Sequence, residues 1–599
     1  MIRMKTLNIA VGILLGAAVL SGCTLGKMVK LAAQQDLQVD PNPLEAHGGK
    51  VPFTVSAVLP PKMLPTGKVW TLKTLYQYDD KEMEVGSVEF RADDFPNSST
   101  STSRKSEDFV FPYSDDLNPG KLFIQGVASD PRNGKSKSSP KLEVAVGIIT
   151  TSTAVKDVYL AAYAEHGYND KEELIPTNVP FFFPQGRSTL TSSLATDGKS
   201  NKDKQSDLSA FIADKNVTRT VTITGTHSPE GTERVNSDLS QDRAERIESW
   251  YRAQMKKYDY KGAADSIKFI LKPVVEDWSG LRDALRDYEG VTSSQKAAMV
   301  RVIDGSGTFE DKEKQLRKLD GYKKVFDEVY PSLRTAKTEI LTVKPKKSNA
   351  EIAVLAKGVA GGSVSQDTLS SEELLFAGTL TPAVSEKMDI YAAATKKDGS
   401  WVAHNNLAAA HLDQARSGNG NTSKLVEDAL TQLQIAASKN DAAEVHANMA
   451  SAYVMQGEHA KAYESAGMAL GKNPSQALKA DLNALRGAIE IRMGNYDAAK
   501  SSLASGSASD NATFDKGLAH LLSKDYSTAD TFFGDVTGSD AVGAHAYYYR
   551  AVTAARRNAP ADIVTNLKEA VSLDKSLKDK ALSDLEFSKY ANSVSEAVK

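Results

Sequence analysis

Met449-Ala450-Ser451-Ala452-Tyr453, followed by Gly457, Ala462, Ala469 and Pro474, is the stretch that decides how the C-terminal part of this 599-residue chain folds. Small residues stand where two antiparallel helices must cross closely, Gly457 turns the chain between them, and Pro474 begins the exit. Weaker copies of the pattern follow around Gly487, Gly494 and Ala499, around Gly517, Ala529 and Phe533, and around Ala551 and Ala570. An earlier copy runs from Asn406 and Ala408 to Ala429 and Ala436, its turn lengthened by Ser417 to Ser423.

The unit resembles a tetratricopeptide repeat position by position. That resemblance implies four to five repeats and an all-α tetratricopeptide-repeat superhelix over 372–599. Its concave groove would suit a helix or an extended peptide, and hence a protein partner. The tyrosines Tyr547, Tyr548 and Tyr549 are expected on a repeat helix, packing more than lining the groove. Upstream, the Gly/Ser-rich run Gly358 to Ser371 makes 346–371 read as a linker.

The middle of the chain changes pattern near residue 176. A strand-like Val179-Pro180-Phe181-Phe182-Phe183 precedes a polar loop, Thr196 to Ser206, a short helix around Leu208 to Asp214 and a strand from Thr218 to Thr224. Gly225-Thr226-His227-Ser228-Pro229-Glu230-Gly231 then leads into a long helix that opens near Asn236 or Ser240 and runs to about Lys256. Leu239, Ile247, Trp250 and Tyr251 give it a buried stripe. Residues 257–335 are charged and mostly helical, with Trp278, Leu281, Leu285, Leu316, Tyr322, Phe326 and Tyr330 as the expected core, and Thr338 to Val343 is a final strand.

Asn236, Leu239, Ser240, Arg243, Ala244 and Ile247, behind the glycine-led loop, resemble the signature of the OmpA C-terminal domain family. The Ser-Pro-Glu-Gly loop and Asp277-Trp278-x-Gly280-Leu281 are most similar to OmpA-like proteins of Bacteroidetes. The resemblance spans 175–345 and implies an OmpA-like α/β sandwich carrying a helical insertion, 257–335. It further implies a grip on the diaminopimelate end of the peptidoglycan stem peptide, in which a loop aspartate holds the ammonium and the helix arginine holds the carboxylate. A guanidinium fork suits that task because it binds a carboxylate bidentately. Arg243 falls on the family arginine and Asn236 on its asparagine, but Ser228 replaces the aspartate, and a hydroxyl supplies no charge. Glu230, two residues on, is the nearest replacement carboxylate. Ser228, Glu230, Asn236 and Arg243 are therefore the peptidoglycan-binding candidates; alternatively, Arg243 pairs with acidic neighbours such as Asp242 or Glu230 and braces the loop. His227 is expected to be a solvated loop residue.

Residues 50–155 alternate apolar and polar over short stretches such as Val51-Pro52-Phe53-Thr54-Val55, Trp70-Thr71-Leu72 and Leu142-Glu143-Val144-Ala145-Val146, the pattern of an antiparallel β-sandwich. A Ser/Thr-rich stretch, Asn97 to Ser106, reads as a solvated loop. The fold class is thus multidomain α+β.

The chain starts with Arg3 and Lys5, an apolar run from Ile9 to Leu20, and Leu20-Ser21-Gly22-Cys23. The run is short of the roughly 20 residues that span a bilayer, so 1–22 reads as a lipoprotein signal peptide and Cys23 as the lipidated residue. Residues 23–49 then form a lipidated linker. Cys23 is the only cysteine, which rules out an internal disulfide. Residues 24–30 hold no acidic residue, and a periplasm-facing outer-membrane lipoprotein is expected.

Losing Arg3 and Lys5 with the signal shifts the formal charge from −3 to −5, a balance that carries no signature of a nucleic-acid binder. No His pair has metal-ligand spacing, and no phosphate loop, nucleophile elbow or Ser/His/Asp order stands out, so the expectation is no enzyme, no metal and no cofactor beyond the lipid on Cys23. Two functional readings follow. One is an outer-membrane-anchored lipoprotein that tethers an envelope complex to peptidoglycan and binds a protein through its repeats. The other is an accessory subunit of an outer-membrane assembly, secretion or uptake complex, its OmpA-like fold kept for protein contacts alone.

Overall fold

The computed structural model describes residues 24–258, 267–274 and 278–599. The expected signal segment, Cys23, the expected lipidation residue, and Asp277 lie outside the described residues. The chain divides into two compact units: residues 1–168 with 349–599, and residues 169–348.

The first unit begins with a helix, Thr24–Leu31, whose Leu25 and Met28 are buried in the sandwich core. Strands β1 (Asp36–Asp40), β3 (Lys50–Leu59) and β6 (Ser103–Pro112) form one antiparallel sheet, in the order β1-β3-β6. Strands β4 (Val69–Tyr78), β5 (Lys81–Arg91), β7 (Gly120–Asp130) and β8 (Lys135–Val146) form another, in the order β5-β4-β7-β8. A short parallel pair joins β2 (Leu44–Glu45) to β9 (Ile148–Ile149). Because side chains alternate along a strand, Val51, Phe53, Val55, Ala57 and Leu59 of β3 all face one core, where they meet Trp70, Leu72, Phe90, Leu122 and Ile124. Two expectations need correction. The stretch 23–49 is no linker: its helix and strands are built into the sandwich. The second half of Asn97 to Ser106 is not loop but the start of β6, fixed by its ladder to β3.

In the same unit the helical part starts at Asn349–Ala360, inside the stretch read as a linker. Ile352, Ala356 and Val359 recur at helical spacing and are buried, a pattern that the glycines that follow obscure. Helices Ser371–Leu380 and Val384–Lys397 pack on it. Five antiparallel hairpins then stack, with first helices Trp401–Arg416, Ala443–Met455, Gln476–Arg492, Asp510–Leu522 and Gly543–Arg556. The last four begin at 443, 476, 510 and 543, close to the 34-residue period of a tetratricopeptide repeat. Within a hairpin the crossing leaves no room for a side chain at Gly517, where an added Cβ would stand 2.8 Å from the Phe533 ring. Gly457 and Gly494, at φ +75° and +80°, make the turns between first and second helices.

The second unit is one four-stranded sheet, β10 (Leu174–Phe182), β13 (Thr335–Val343), β11 (Thr218–Gly225) and β12 (Lys268–Pro273) in that order. β11 and β12 are parallel and the other pairs antiparallel. Helices Asn201–Ala213 and Glu233–Lys257 contribute Leu208, Ile212, Ala244, Ile247 and Tyr251 to the core beneath it. The polar loop read as ending at Ser206 is cut short by a capping box: Ser200 accepts from the Asp203 N–H, and the Asp203 carboxylate accepts from the Ser200 N–H. The charged block is not all helix either, since β12 lies within it. Its helices, Trp278–Asp287 through Tyr330–Leu333, form a small core of their own around Trp278, Leu285, Phe309 and Tyr330.

Candidate functional site

Two places carry polar chemistry on a built framework: the groove of the repeats in the first unit, and the loop behind β11 in the second.

The first helices of successive hairpins present an unusual row of polar residues, fully buried among alanines: Asn405, Asn406, Asn448, Ser451 and Asp515. The row meets the chain itself. Residues 155–168, between the sandwich and the second unit, run extended along the groove with Val158, Leu160, Ala162 and Ala164 buried. An extended segment against helices has no neighbouring strand to pair with, and a buried peptide group left unpaired is costly. The asparagines resolve this, because a carboxamide offers a donor and an acceptor side by side, as a neighbouring peptide group would. Asn448 accepts from the Ala162 N–H at 2.7 Å and donates to its carbonyl at 2.9 Å. Asn406 does the same for Ala164, at 2.7 and 3.0 Å. Asn405 adds a second donor to the Ala162 carbonyl at 2.9 Å.

Further along the groove Ser451 accepts from the Leu160 N–H, Asn511 donates to the Asp157 carbonyl, and Asp515 accepts from the Lys156 N–H at 2.8 Å. The Asp157 carboxylate pairs with Arg492, and the Tyr163 hydroxyl donates to Asp413 at 2.7 Å. Asp515 is fully buried, its second oxygen has no partner, and burial raises its pKa well above the usual carboxylate range. The repeat groove therefore takes an extended polypeptide, and the one it holds is this chain's own. Tyr548 and Tyr549 are buried at its far end, in the core.

The sandwich is fastened to the last repeats by a part-buried ion network. Arg556 forms a bidentate pair with Glu586, at 2.6 and 2.9 Å, and reaches Glu45 at 2.8 Å. Burial pushes the Glu45 carboxyl up, but bonds from His47 and Arg556 outweigh it and hold it at about 2. His47 in turn meets the Tyr496 hydroxyl at 2.7 Å.

In the second unit the four candidate residues gather at one loop. Arg243 is 1% exposed. Its guanidinium donates to three backbone carbonyls, Thr226 at 2.7 Å, Arg187 at 3.1 Å and Pro184 at 3.4 Å, and lies over the Phe183 ring. Burial, and then the charge of Arg334, lower its pKa to about 10. It braces the loop, but through carbonyls and not through the acidic neighbours expected. Ser228 and Glu230 both accept from Arg334 Nε, at 2.9 and 3.0 Å, and Asn236 donates to the Glu230 carbonyl. His227 is not solvated: it is buried, with its ring edge-on to Phe309 of the charged block.

Sequence reading missed Arg334, which sits at the junction of the charged block and β13, outside any motif. It also missed the extended segment 155–168, a strap along the groove, and its asparagines. Polar residues spaced like repeats on otherwise apolar helix faces were the available signal.

No family model matches the chain, and no curated protein matches it. Among solved structures it is similar to a tetratricopeptide repeat protein from Parabacteroides merdae, at 18% identity over 38% of this chain and 97% of that one, with a TM-score of 0.27. It is also similar to the C-terminal part of a repeat-containing protein from Cytophaga hutchinsonii, at 15% identity over 39% and 91%, with a TM-score of 0.29. A third is the Cut9-Hcn1 hetero-tetramer, at 11% identity over 61% and 77%, with a TM-score of 0.31.

Proposed function

We propose that this chain is a lipid-anchored scaffold of the cell envelope without catalytic activity, an accessory subunit whose partners are proteins of an outer-membrane assembly, secretion or uptake complex. The state of Arg243 carries this reading over a peptidoglycan tether. A guanidinium that is 1% exposed and already donates to three carbonyls is closed off from a stem-peptide carboxylate. Because residues 155–168 fill the groove, a partner peptide must displace them or bind elsewhere on the repeats.

One observation favours the tether. Glu230 Oε2 is buried with no hydrogen-bond partner, an acceptor of the kind an ammonium seeks. Co-sedimentation of the lipid-free protein with diaminopimelate-type sacculi separates the two readings. The scaffold reading expects no pelleting above background. Pelleting that Glu230→Gln abolishes would establish the tether instead. For the anchor, Cys23→Ser is expected to move the protein from the membrane to the soluble fraction; retention in the membrane would refute lipidation at Cys23.

A further inference from the structure

The strap completes its groove poorly at the end where it enters. Asp515 is fully buried and accepts the Lys156 N–H on one oxygen, while its other oxygen has no partner. The cations that act on it, Arg492 and Lys156, form no ion pair with it among the described residues, and Arg492 pairs instead with Asp157 of the strap. A buried carboxyl with a free oxygen calls for a donor, and a charged donor binds it most strongly. We propose that the groove receives a partner protein by its free N-terminus: an extended peptide displaces the strap and sets its α-ammonium on Asp515, an acidic second residue on Arg492, and small or aliphatic side chains where Val158, Leu160, Ala162 and Ala164 now lie.

The contacts that hold the strap are open to another chain. Asn406, Asn448 and Ser451 bind its main-chain groups, which every extended peptide carries. Selection is left to alternate side chains, and those that the strap buries are small or aliphatic. The opposite face of the strap is not sealed in. Asp157 and Glu165 are exposed and Tyr159, Ala161 and Tyr163 only half-buried, so the strap can lift without parting the helices.

The groove also has a stop. Thr151 donates to Glu586 at 2.6 Å and Ser152 donates to the Ala46 carbonyl at 2.5 Å, which fixes the turn before the strap to the sandwich and the last repeats. An incoming chain has no path past that turn and must begin at the position of Lys156. Its first nitrogen then stands where the Lys156 N–H stands, 2.8 Å from Asp515. An ammonium there brings several donors in place of one, reaches the free oxygen, and supplies the charge that the strap's amide lacks. An acidic second residue keeps for Arg492 the partner it has in Asp157. The strap, being part of the chain, competes at high effective concentration, so a peptide binds best once the strap is weakened. Its protein partner is of the class that the scaffold reading calls for and rests on that reading, while the sacculus and anchor assays respond to other residues, so each can fail alone.

The test is fluorescence anisotropy on the full lipid-free chain. The probe is a peptide of the strap's own sequence, residues 156–164, dye-labelled at its C-terminus and carrying either a free or an acetylated N-terminus. Ala162→Pro with Ala164→Pro removes the N–H groups that Asn448 and Asn406 accept, and so weakens the strap without touching the groove. In this variant the free peptide should bind saturably and one to one, more tightly than to the wild type, and acetylation should weaken it about tenfold or more. Asp515→Asn in the same background should make the two peptides equal. Leu160→Ser, which only empties one buried position of the strap, is the second background if the proline pair fails to fold. No saturable binding in a folded strap variant, equal affinity for the two peptides, or wild-type binding as tight as the variant's overturns the proposal.

Discussion

Asn448 holds both the N–H and the carbonyl of Ala162, at 2.7 and 2.9 Å, across 286 positions of sequence. This one carboxamide stands in for the neighbouring strand that residues 155–168 lack. Together with Asn406 on Ala164, it makes the strap part of the repeat core instead of a loop lying upon it.

Asn448→Ala should therefore leave the buried Ala162 N–H without an acceptor, while the Ala162 carbonyl keeps Asn405, at a cost of about 1–3 kcal/mol. Hydrogen exchange is the measurement of choice. Amide protection should fall along residues 157–164 and stay unchanged in the unit 169–348. Uniform loss of protection, or none, would mean that the clamp does not hold the strap.

Asp515→Asn tests the buried carboxyl beneath the same strap. Burial raises the folded pKa of Asp515 well above its ordinary 3.8. A raised carboxyl contributes stability that is fully present below the unfolded value and is lost as pH rises through the folded one. Asparagine keeps an acceptor for the Lys156 N–H and cannot ionise. The variant should melt at a higher temperature than the wild type at pH 7–8, with the difference vanishing below about pH 4. A variant less stable at neutral pH would contradict this.

Glu45 has the opposite sign. Its folded pKa, about 2, lies below the ordinary 4.5, so its stabilisation is present above pH 4.5 and disappears as pH falls from there toward 2. Glu45→Gln should flatten the acid limb of the stability profile over that window. Arg556→Met should cost more at pH 7, about 1–3 kcal/mol, because it leaves the buried Glu586 with only Thr151 as a partner and removes one of Glu45's two cations. Equal effects of the two substitutions in chemical denaturation would show that the network is not coupled.

In the second unit, Arg334 and Glu230 form a buried pair at 3.0 Å. Arg334→Met should destabilise this unit by about 3–5 kcal/mol, since it leaves a buried carboxylate without its partner. Adding Glu230→Gln should restore part of the loss. A double variant that loses the full sum of the two single effects would exclude the pairing.

How far the sequence could be read depended on whether each signal was local. Gly457, Gly487, Gly494 and Gly517 mark tight turns and helix crossings within some 60 residues, and helical periodicity runs between them, so the repeats are legible in the order of residues alone. The alternation in β3 and β4 is legible for the same reason. The helix Asn349–Ala360 is obscured by the glycines after it, and β12 by the charge around it.

What the sequence determined by itself is the kind of element each stretch forms, because turn chemistry and the burial period act over a few residues. Only the tertiary structure decided what those elements hold. The strap's partners come from helices hundreds of positions away. Arg243 could have forked a ligand carboxylate or bound three carbonyls, and the placement of Thr226, Pro184 and Arg187 around it fixed the second. A hydrogen-bonding group carries its donors and acceptors in its formula, but its partner is set by whichever group the fold brings within about 3 Å.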